Sequence, residues 1–365
     1  MTPLGQNLAD LIRRDGPIGV DRFMATALGD PVHGYYMTRD PLGVAGDFIT
    51  APEISQIFGE IVGLWCADQW QQIGCPDPVH LAELGPGRGT LMADLLRALA
   101  VLPPLRAAIR LHLVETSPVL RDRQRARLSE RHPDLTPRWH EHFDTVPTGP
   151  LLLIANEFFD ALPIRQWQNR TGVWHERRIG LDAEGDFTFT LGPPARPPIA
   201  PPPAGEDAIF ETAEAGLAVA AAIGRRLAAC PGAALIIDYG HARTAVGETL
   251  QAVRRHRPIP VLDLPGEADL TAHVDFAALA GALAVPGVRC WGPVTQRQFL
   301  SANGAAQRVA ALTRGKPEAE AAAIGHAAAR LLDPAQMGSL FKVLAAIPAD
   351  RPAPSGFDPA SGSAA

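Results

Sequence analysis

The chain has 365 residues, 47% of them hydrophobic and 20% charged, a balance that belongs to a globular protein with room for a large core. A formal net charge of -6 and a pI near 6.0 argue against a nucleic-acid binder working through a basic face. The cysteines Cys66, Cys75, Cys230 and Cys290 form no Cys-x-x-Cys pair, so neither a zinc site nor a disulfide frame is expected, and a reducing, cytoplasmic setting is. Asp10, Arg13, Arg14 and Asp15 interrupt any signal-peptide core, and no window is apolar enough to insert into a bilayer.

In chain order, apolar positions at Leu4, Leu8, Leu11 and Ile12 predict a short helix ended by Gly16-Pro17, and a second runs from Val20 to Leu28. His33-Gly-Tyr-Tyr36 and Gly43 to Ser55 follow, a loop dense in glycine, aspartate, threonine and proline, of the kind that usually carries function. A third helix, Ile57 to Ile73, presents Trp65 and Trp70 to a core. Residues 1–76 are expected to form a helical cap with a substrate or cofactor loop, and 77–350 an α/β core with insertions at about 160–205 and 296–335.

That core begins at His80 to Arg97, where a short apolar run breaks at Gly85, Gly87 and Gly89 and resumes with helical spacing: strand, tight turn, helix. The spacing departs from the dinucleotide fingerprint, because Gly89 comes one place early and Thr90 follows. Glu83, two residues before the first glycine, suits a cofactor with a cationic amino group. Together these residues resemble motif I of the class I S-adenosylmethionine (SAM) methyltransferases, which implies SAM as the cofactor held by Glu83, Gly85, Gly87 and Gly89.

A second strand, Ile109 to Glu115, ends in an acid placed to accept two ribose hydroxyls, and Ser117-Pro118 opens an arginine-rich helix. Arg138 to Phe143 reads as a third strand, with Phe143 either against an adenine ring or plain core. His140-Glu-His142 lacks zincin spacing, and no metal is expected there. Leu151 to Ile154 is a buried strand running into Asn156-Glu157, with Asp160 three residues on, polar groups that lie beside a ligand by topology. Ile164 to Thr190 alternates as a β-meander, a proline-rich loop spans Gly192 to Pro203, and Ala208 to Ala229 reads as one helix. Ala233 to Gly240 is a strand ending in Asp238, with Tyr239 and His241 beyond it. Helix Phe276 to Leu283, strand Val288 to Trp291, helical runs Gln296 to Leu312 and Glu318 to Leu332, and strand Phe341 to Ile347 complete the core. The tail Arg351 to Ala365 is expected to be disordered.

The stretches Gly16-Pro-Ile, His33-Gly-Tyr-Tyr, Gly46 to Glu60, Glu83 to Leu91, Val114 to Arg121, Ala155 to Pro163, Ile237 to His241 and Met337 to Val343 together resemble the MidA-type family. Its mitochondrial members are protein arginine methyltransferases that help assemble respiratory complex I. The resemblance covers nearly the whole chain up to the tail. It implies a class I SAM-methyltransferase (Rossmann-like) fold with a seven-stranded sheet, a helical N-terminal cap and an inserted β-meander. It also implies symmetric dimethylation of an arginine on a complex I subunit or similar protein. The chemistry requires carboxylates that hold a permanently charged guanidinium and favour electron density on one nitrogen. Glu157, Asp160 and Asn156 are the candidates for that task, Glu115, Ser117 and Phe143 join the cofactor set, and Asp47, Thr50, Glu53, Tyr239 and His241 are candidates for gripping substrate. A methyltransferase for a small molecule or another protein, and a SAM-binding assembly factor without catalysis, remain open on the residues alone. The Trp-bearing helix and the meander offer surfaces for a homodimer.

Overall fold

A computed structural model describes residues 1–39, 50–358 and 362–363. Contacts divide the chain into two units. One combines the described residues of Met1–Phe48 with Phe159–Ala218 and His241–Ala278; the other combines those of Ile49–Phe158, Val219–Gly240 and Leu279–Ala365.

The second unit is built on the apolar runs read from the sequence. They form the strands β1 (Val79–Leu84), β2 (Ile109–Val114), β3 (Arg138–His140), β4 (Leu151–Asn156), β5 (Gly232–His241), β6 (Val288–Thr295) and β7 (Phe341–Pro348). In space the order is β3-β2-β1-β4-β5-β7-β6. The five strands from β3 to β5 are parallel, whereas β7 runs antiparallel to both β5 and β6. The expected seven-stranded α/β core is therefore present, and Gly362–Ser363 adds a short pair to the β6 edge. Every residue of β1 and β4 is buried, as continuous apolar runs in the centre of a parallel sheet should be. The helix Gln56–Gln72 lies on the helix Thr90–Leu99 at very close range. A Cβ on Gly59 would stand 2.7 Å from Asp94 and one on Gly63 2.8 Å from the Leu95 carbonyl, so glycine sets the approach of the two backbones.

The other unit carries the meander, Arg165–Arg170, Val173–Leu181 and Phe187–Pro194, joined by Ile209–Thr212 and Ile18–Gly19. A separate three-stranded sheet is made by Gln251–Arg254, Arg257–Ile259 and Asp269–Thr271. The core of this unit joins Leu4, Leu8, Phe23 and Met24 of the first two helices to Ile164, Ile179, Leu250 and Leu270.

Four expectations are corrected. The cap of residues 1–76 does not hold together as one body, because residues from 50 onward pack with the sheet through Ile57, Phe58 and Trp65. The inserted material is also larger than 160–205, since 241–278 joins it. The helix expected from Ala208 begins at Glu214, because Ile209–Thr212 is claimed by pairing with Arg165 to Gln168. The tail is not disordered through 358: Phe357 is buried, its ring centroid 5.9 Å from that of Phe299.

Across β1, β2 and β3 three histidines form a ladder. His80 Nδ1 meets His112 Nε2 at 2.9 Å, and His112 Nδ1 meets His140 Nε2 at 2.9 Å. The ladder ends on the Thr145 hydroxyl, which donates to the His142 carbonyl. Thr145 therefore accepts from His140 Nδ1. Burial, reinforced by the neighbouring histidines and Arg138, drives His112 down to about 3, so the ladder is neutral. Among the described residues no cluster of His, Cys, Asp and Glu is arranged to hold a metal.

Candidate functional site

After Leu84 the chain reverses through Gly85, Gly87 and Gly89, whose φ angles are +62°, +51° and +73°. These are left-handed values that glycine adopts without a steric cost. The Gly85 N–H donates to the Val114 carbonyl at 3.0 Å and the Gly89 N–H to Pro86 at 2.7 Å, closing the turn. A Cβ on Gly85 would come within 3.0 Å of the Phe158 ring. The turn thus sits at the carboxyl ends of β1 and β4, where open α/β sheets bind ligands.

Two acids border it. Glu83 is buried on the central strand β1, between Leu113 of β2 and Ile154 of β4, and burial, with the charge of Glu115 behind it, pushes its carboxyl up to about 8. Its Oε2 has no hydrogen-bond partner among the described residues. Glu115 follows β2 and is fixed on both oxygens: Oε1 accepts from the Ser117 N–H at 2.9 Å and Oε2 from Gln124 Nε2 at 3.1 Å. Burial raises its pKa, while those donors oppose the shift. Ser117 also caps the helix Pro118–Arg131, as its position before Pro118 predicts. Gln124 was not legible as a site residue. It is wholly buried and its amide reaches the Gly87 carbonyl at 2.7 Å as well, while its Oε1 accepts from Trp139 at 2.8 Å, so one side chain ties the glycine turn to Glu115 and to β3. Its only sequence signal is its place two helical turns after Ser117.

At the end of β4, Asn156 is buried and Glu157 takes a φ of +50°, a sparsely populated conformation for a residue with a Cβ. Such strain persists only where neighbours enforce it, and it gathers at functional sites. The Glu157 N–H donates to Ile237 at 2.9 Å, and its Oε1 accepts from Asn156 Nδ2 at 3.2 Å and from the Ala51 N–H at 3.3 Å. The next N–H, of Phe158, donates to Asp238 Oδ2 at 3.2 Å. Asp238, the fully buried acid near the end of β5, therefore holds the turn that presents Glu157.

Thr50 precedes the helical turn Ala51–Ile54, whose Glu53 accepts from the Thr90 hydroxyl and lies 3.6 Å from Arg127 and 3.9 Å from Arg88. Glu53 is thereby brought to the glycine turn. Asp47 lies outside the described residues. Phe143 is buried in the turn after β3 with the Arg226 guanidinium 5.6 Å from its ring centroid, and Tyr239 meets the Phe341 ring edge-on at 5.5 Å.

The first unit holds a different group. Asp160 is buried, and its carbonyl accepts from the Ala272 N–H at 3.0 Å. Close by, the Tyr36 hydroxyl donates to Asp269 Oδ1 at 2.8 Å. Burial, then the charges of Asp269 and Asp160, raise the phenol far above its ordinary pKa, so Tyr36 stays a donor. Tyr36 lies in the His33-Gly-Tyr-Tyr stretch, but nothing in the sequence connected it to Asp269. In the same unit His241 stands 3.8 Å from Asp275.

The model of a family of S-adenosyl-L-methionine-dependent methyltransferases matches residues 61–294. The mitochondrial protein arginine methyltransferase NDUFAF7 of Danio rerio is 37% identical over 92% of this chain and 85% of that protein. The protein of the same name from Homo sapiens is 35% identical over 96% and 85%. A crystal structure of a Burkholderia thailandensis superfamily member bound to S-adenosyl-homocysteine superposes with a TM-score of 0.82, at 30% identity over 97% of this chain and 92% of that one.

Proposed function

The chain belongs to this family of SAM-dependent methyltransferases, and from that premise we propose that it methylates the guanidinium of arginine in a protein substrate. The observation that carries the reading is Glu157: an acid held in a strained conformation at the carboxyl end of β4, beside the glycine turn of a family that transfers methyl groups. The finer reading, symmetric dimethylation of a respiratory complex I subunit, rests on the family resemblance alone.

The residues present fit the cofactor. The buried Glu83 oxygen without a partner among the described residues suits a cationic amino group, and Gly85 leaves room where a Cβ would crowd Phe158. Glu115, held by Ser117 and Gln124, keeps lone pairs for a ribose. Bound SAM supplies an electrophilic methyl on a sulfonium.

What the protein must supply is geometry, because an in-line displacement depends mainly on position. A guanidinium carries a charge at all ordinary pH values and has no free lone pair. Glu157, with one oxygen fixed by Asn156 and Ala51, fixes the plane of the guanidinium and draws its proton charge toward the carboxylate. Electron density then concentrates on the nitrogen that attacks. The N–C bond would form as the sulfonium S–CH3 bond breaks to leave a neutral thioether, and the nitrogen would then give up a proton, for which the Glu157 carboxylate is the acceptor.

Incubating the protein with methyl-labelled SAM and lysate of its own cells tests this reading. Label in acid-hydrolysed methylarginine of a polypeptide supports it. Label in small molecules alone contradicts it in favour of a small-molecule methyltransferase. Absence of label contradicts catalysis.

A further inference from the structure

A cavity of about 880 Å³ opens at the opposite end of the same sheet. It is lined where β2 and β3 begin, at Ile109 and Arg138, whereas the glycine turn lies beyond the other ends of the strands. Six residues of strand separate the two ends, roughly 17 Å. Five arginines line this hollow, Arg97, Arg106, Arg110, Arg131 and Arg138, against a single lining carboxylate, Asp134. In a chain of net charge -6 that concentration is not a reflection of composition.

The arginines divide by what holds them. Arg106 is committed: it takes both oxygens of Asp134, at 2.9 and 2.7 Å, and the Leu96 carbonyl at 3.2 Å. His132 steadies it from behind, donating through Nε2 to the Ala93 carbonyl at 2.8 Å and accepting Arg106 at Nδ1 at 3.2 Å. Arg97 and Arg131 share Asp94, at 3.1 and 3.6 Å. Arg110 and Arg138 have no carboxylate partner among the described residues. Arg110 is nevertheless anchored, because one terminal nitrogen donates to the carbonyls of Ala107, Ala108 and Ile109 at 3.1, 3.3 and 3.0 Å. Its other donors make no hydrogen bond to the described residues, and a guanidinium with donors to spare can take an oxyanion. Ile109, Leu111 and Leu135 give the same hollow an apolar wall.

We infer that this cavity is a second binding site, separate from the methyl-transfer site, for a small multiply charged oxyanion, a phosphate or polycarboxylate compound, gripped by Arg110 and Arg138. Its volume lies in the range of small-ligand pockets, and it opens to solvent with Arg110 and Arg138 exposed. The inference does not depend on the arginine-methylation reading.

Calorimetric titration with inorganic pyrophosphate, and separately with citrate, tests it on the full chain. Saturable binding of one molecule is expected, weakened about tenfold or more in Arg110→Gln/Arg138→Gln, with SAM affinity unchanged as evidence that the variant is folded. The partner that binds distinguishes a phosphate from a carboxylate ligand. Arg138→Gln alone leaves the anchored Arg110 in place and is expected to weaken binding by a smaller factor. Absence of binding, or affinity equal in parent and double variant, overturns the proposal. So does binding of an acidic peptide or a DNA duplex with no binding of either small anion, which would make the face an extended macromolecular surface.

Discussion

The two units hold their acids in contrasting ways. Around the glycine turn Glu115 is fixed by neighbours close in sequence, Ser117 and Gln124, and Glu157 by the adjacent Asn156 together with the distant Ala51. In the unit of the meander, Tyr36 and Asp269 meet across 233 positions, and Asp160 joins them from a third stretch. The first arrangement is mostly local and repeats wherever a strand runs into a helix, so a pattern of residues announces it. The second is made only by tertiary folding. The residues of the turn can therefore be read early, while a contact such as that of Tyr36 with Asp269 is spelled out by no motif.

The largest expected effect falls on the local side. Gly85→Val adds a branched side chain at a left-handed position facing Phe158 and is expected to weaken SAM binding by about a hundredfold or more, checked by calorimetry. Binding close to that of the parent would mean that the turn does not set the cofactor's approach. A smaller effect is expected from the long-range side. Asp269→Asn keeps an acceptor for Tyr36 but replaces a charge-assisted bond with a neutral one, so stability in urea should fall by about 1 kcal/mol with SAM affinity unchanged. Loss of SAM affinity along with stability would erase the distinction between the units.

The smallest effect also concerns stability. His112 is held neutral in the fold, whereas in the unfolded chain it takes up a proton below about pH 6.5. The unfolded state thus binds more protons as pH falls, so the stability is full above that value and is lost progressively toward pH 3. Between about pH 7 and pH 6 the loss from His112 alone is about 0.7 kcal/mol, to be measured by urea unfolding. His112→Gln should flatten part of that slope.

How much was legible follows the same division. Continuous apolar runs such as Leu151 to Ile154 admit one reading when they end in polar groups, and the sheet, the turn and the places of Glu83, Glu115 and Glu157 came with them. Gln124 escaped notice because an amide inside an arginine-rich helix has the look of a solvated face, yet it is fully buried. Residues 209–212 read as helix because alanine-rich sequence continues from them, and strand pairing with Arg165 to Gln168 overrode that preference. Phe357 stood in a stretch of proline, serine and glycine whose composition hid its docking beside Phe299. Glu53 reads either as part of the substrate grip or as closing over the cofactor, and its bond to Thr90 brings it to the glycine turn.

The most direct test of the proposed chemistry compares Glu157→Gln with the parent at saturating SAM. The amide keeps the shape and an acceptor for Ala51 but carries no charge. Methyl transfer should fall by about a hundredfold or more while the dissociation constant for SAM stays within about threefold. Transfer at the parent rate would contradict the account.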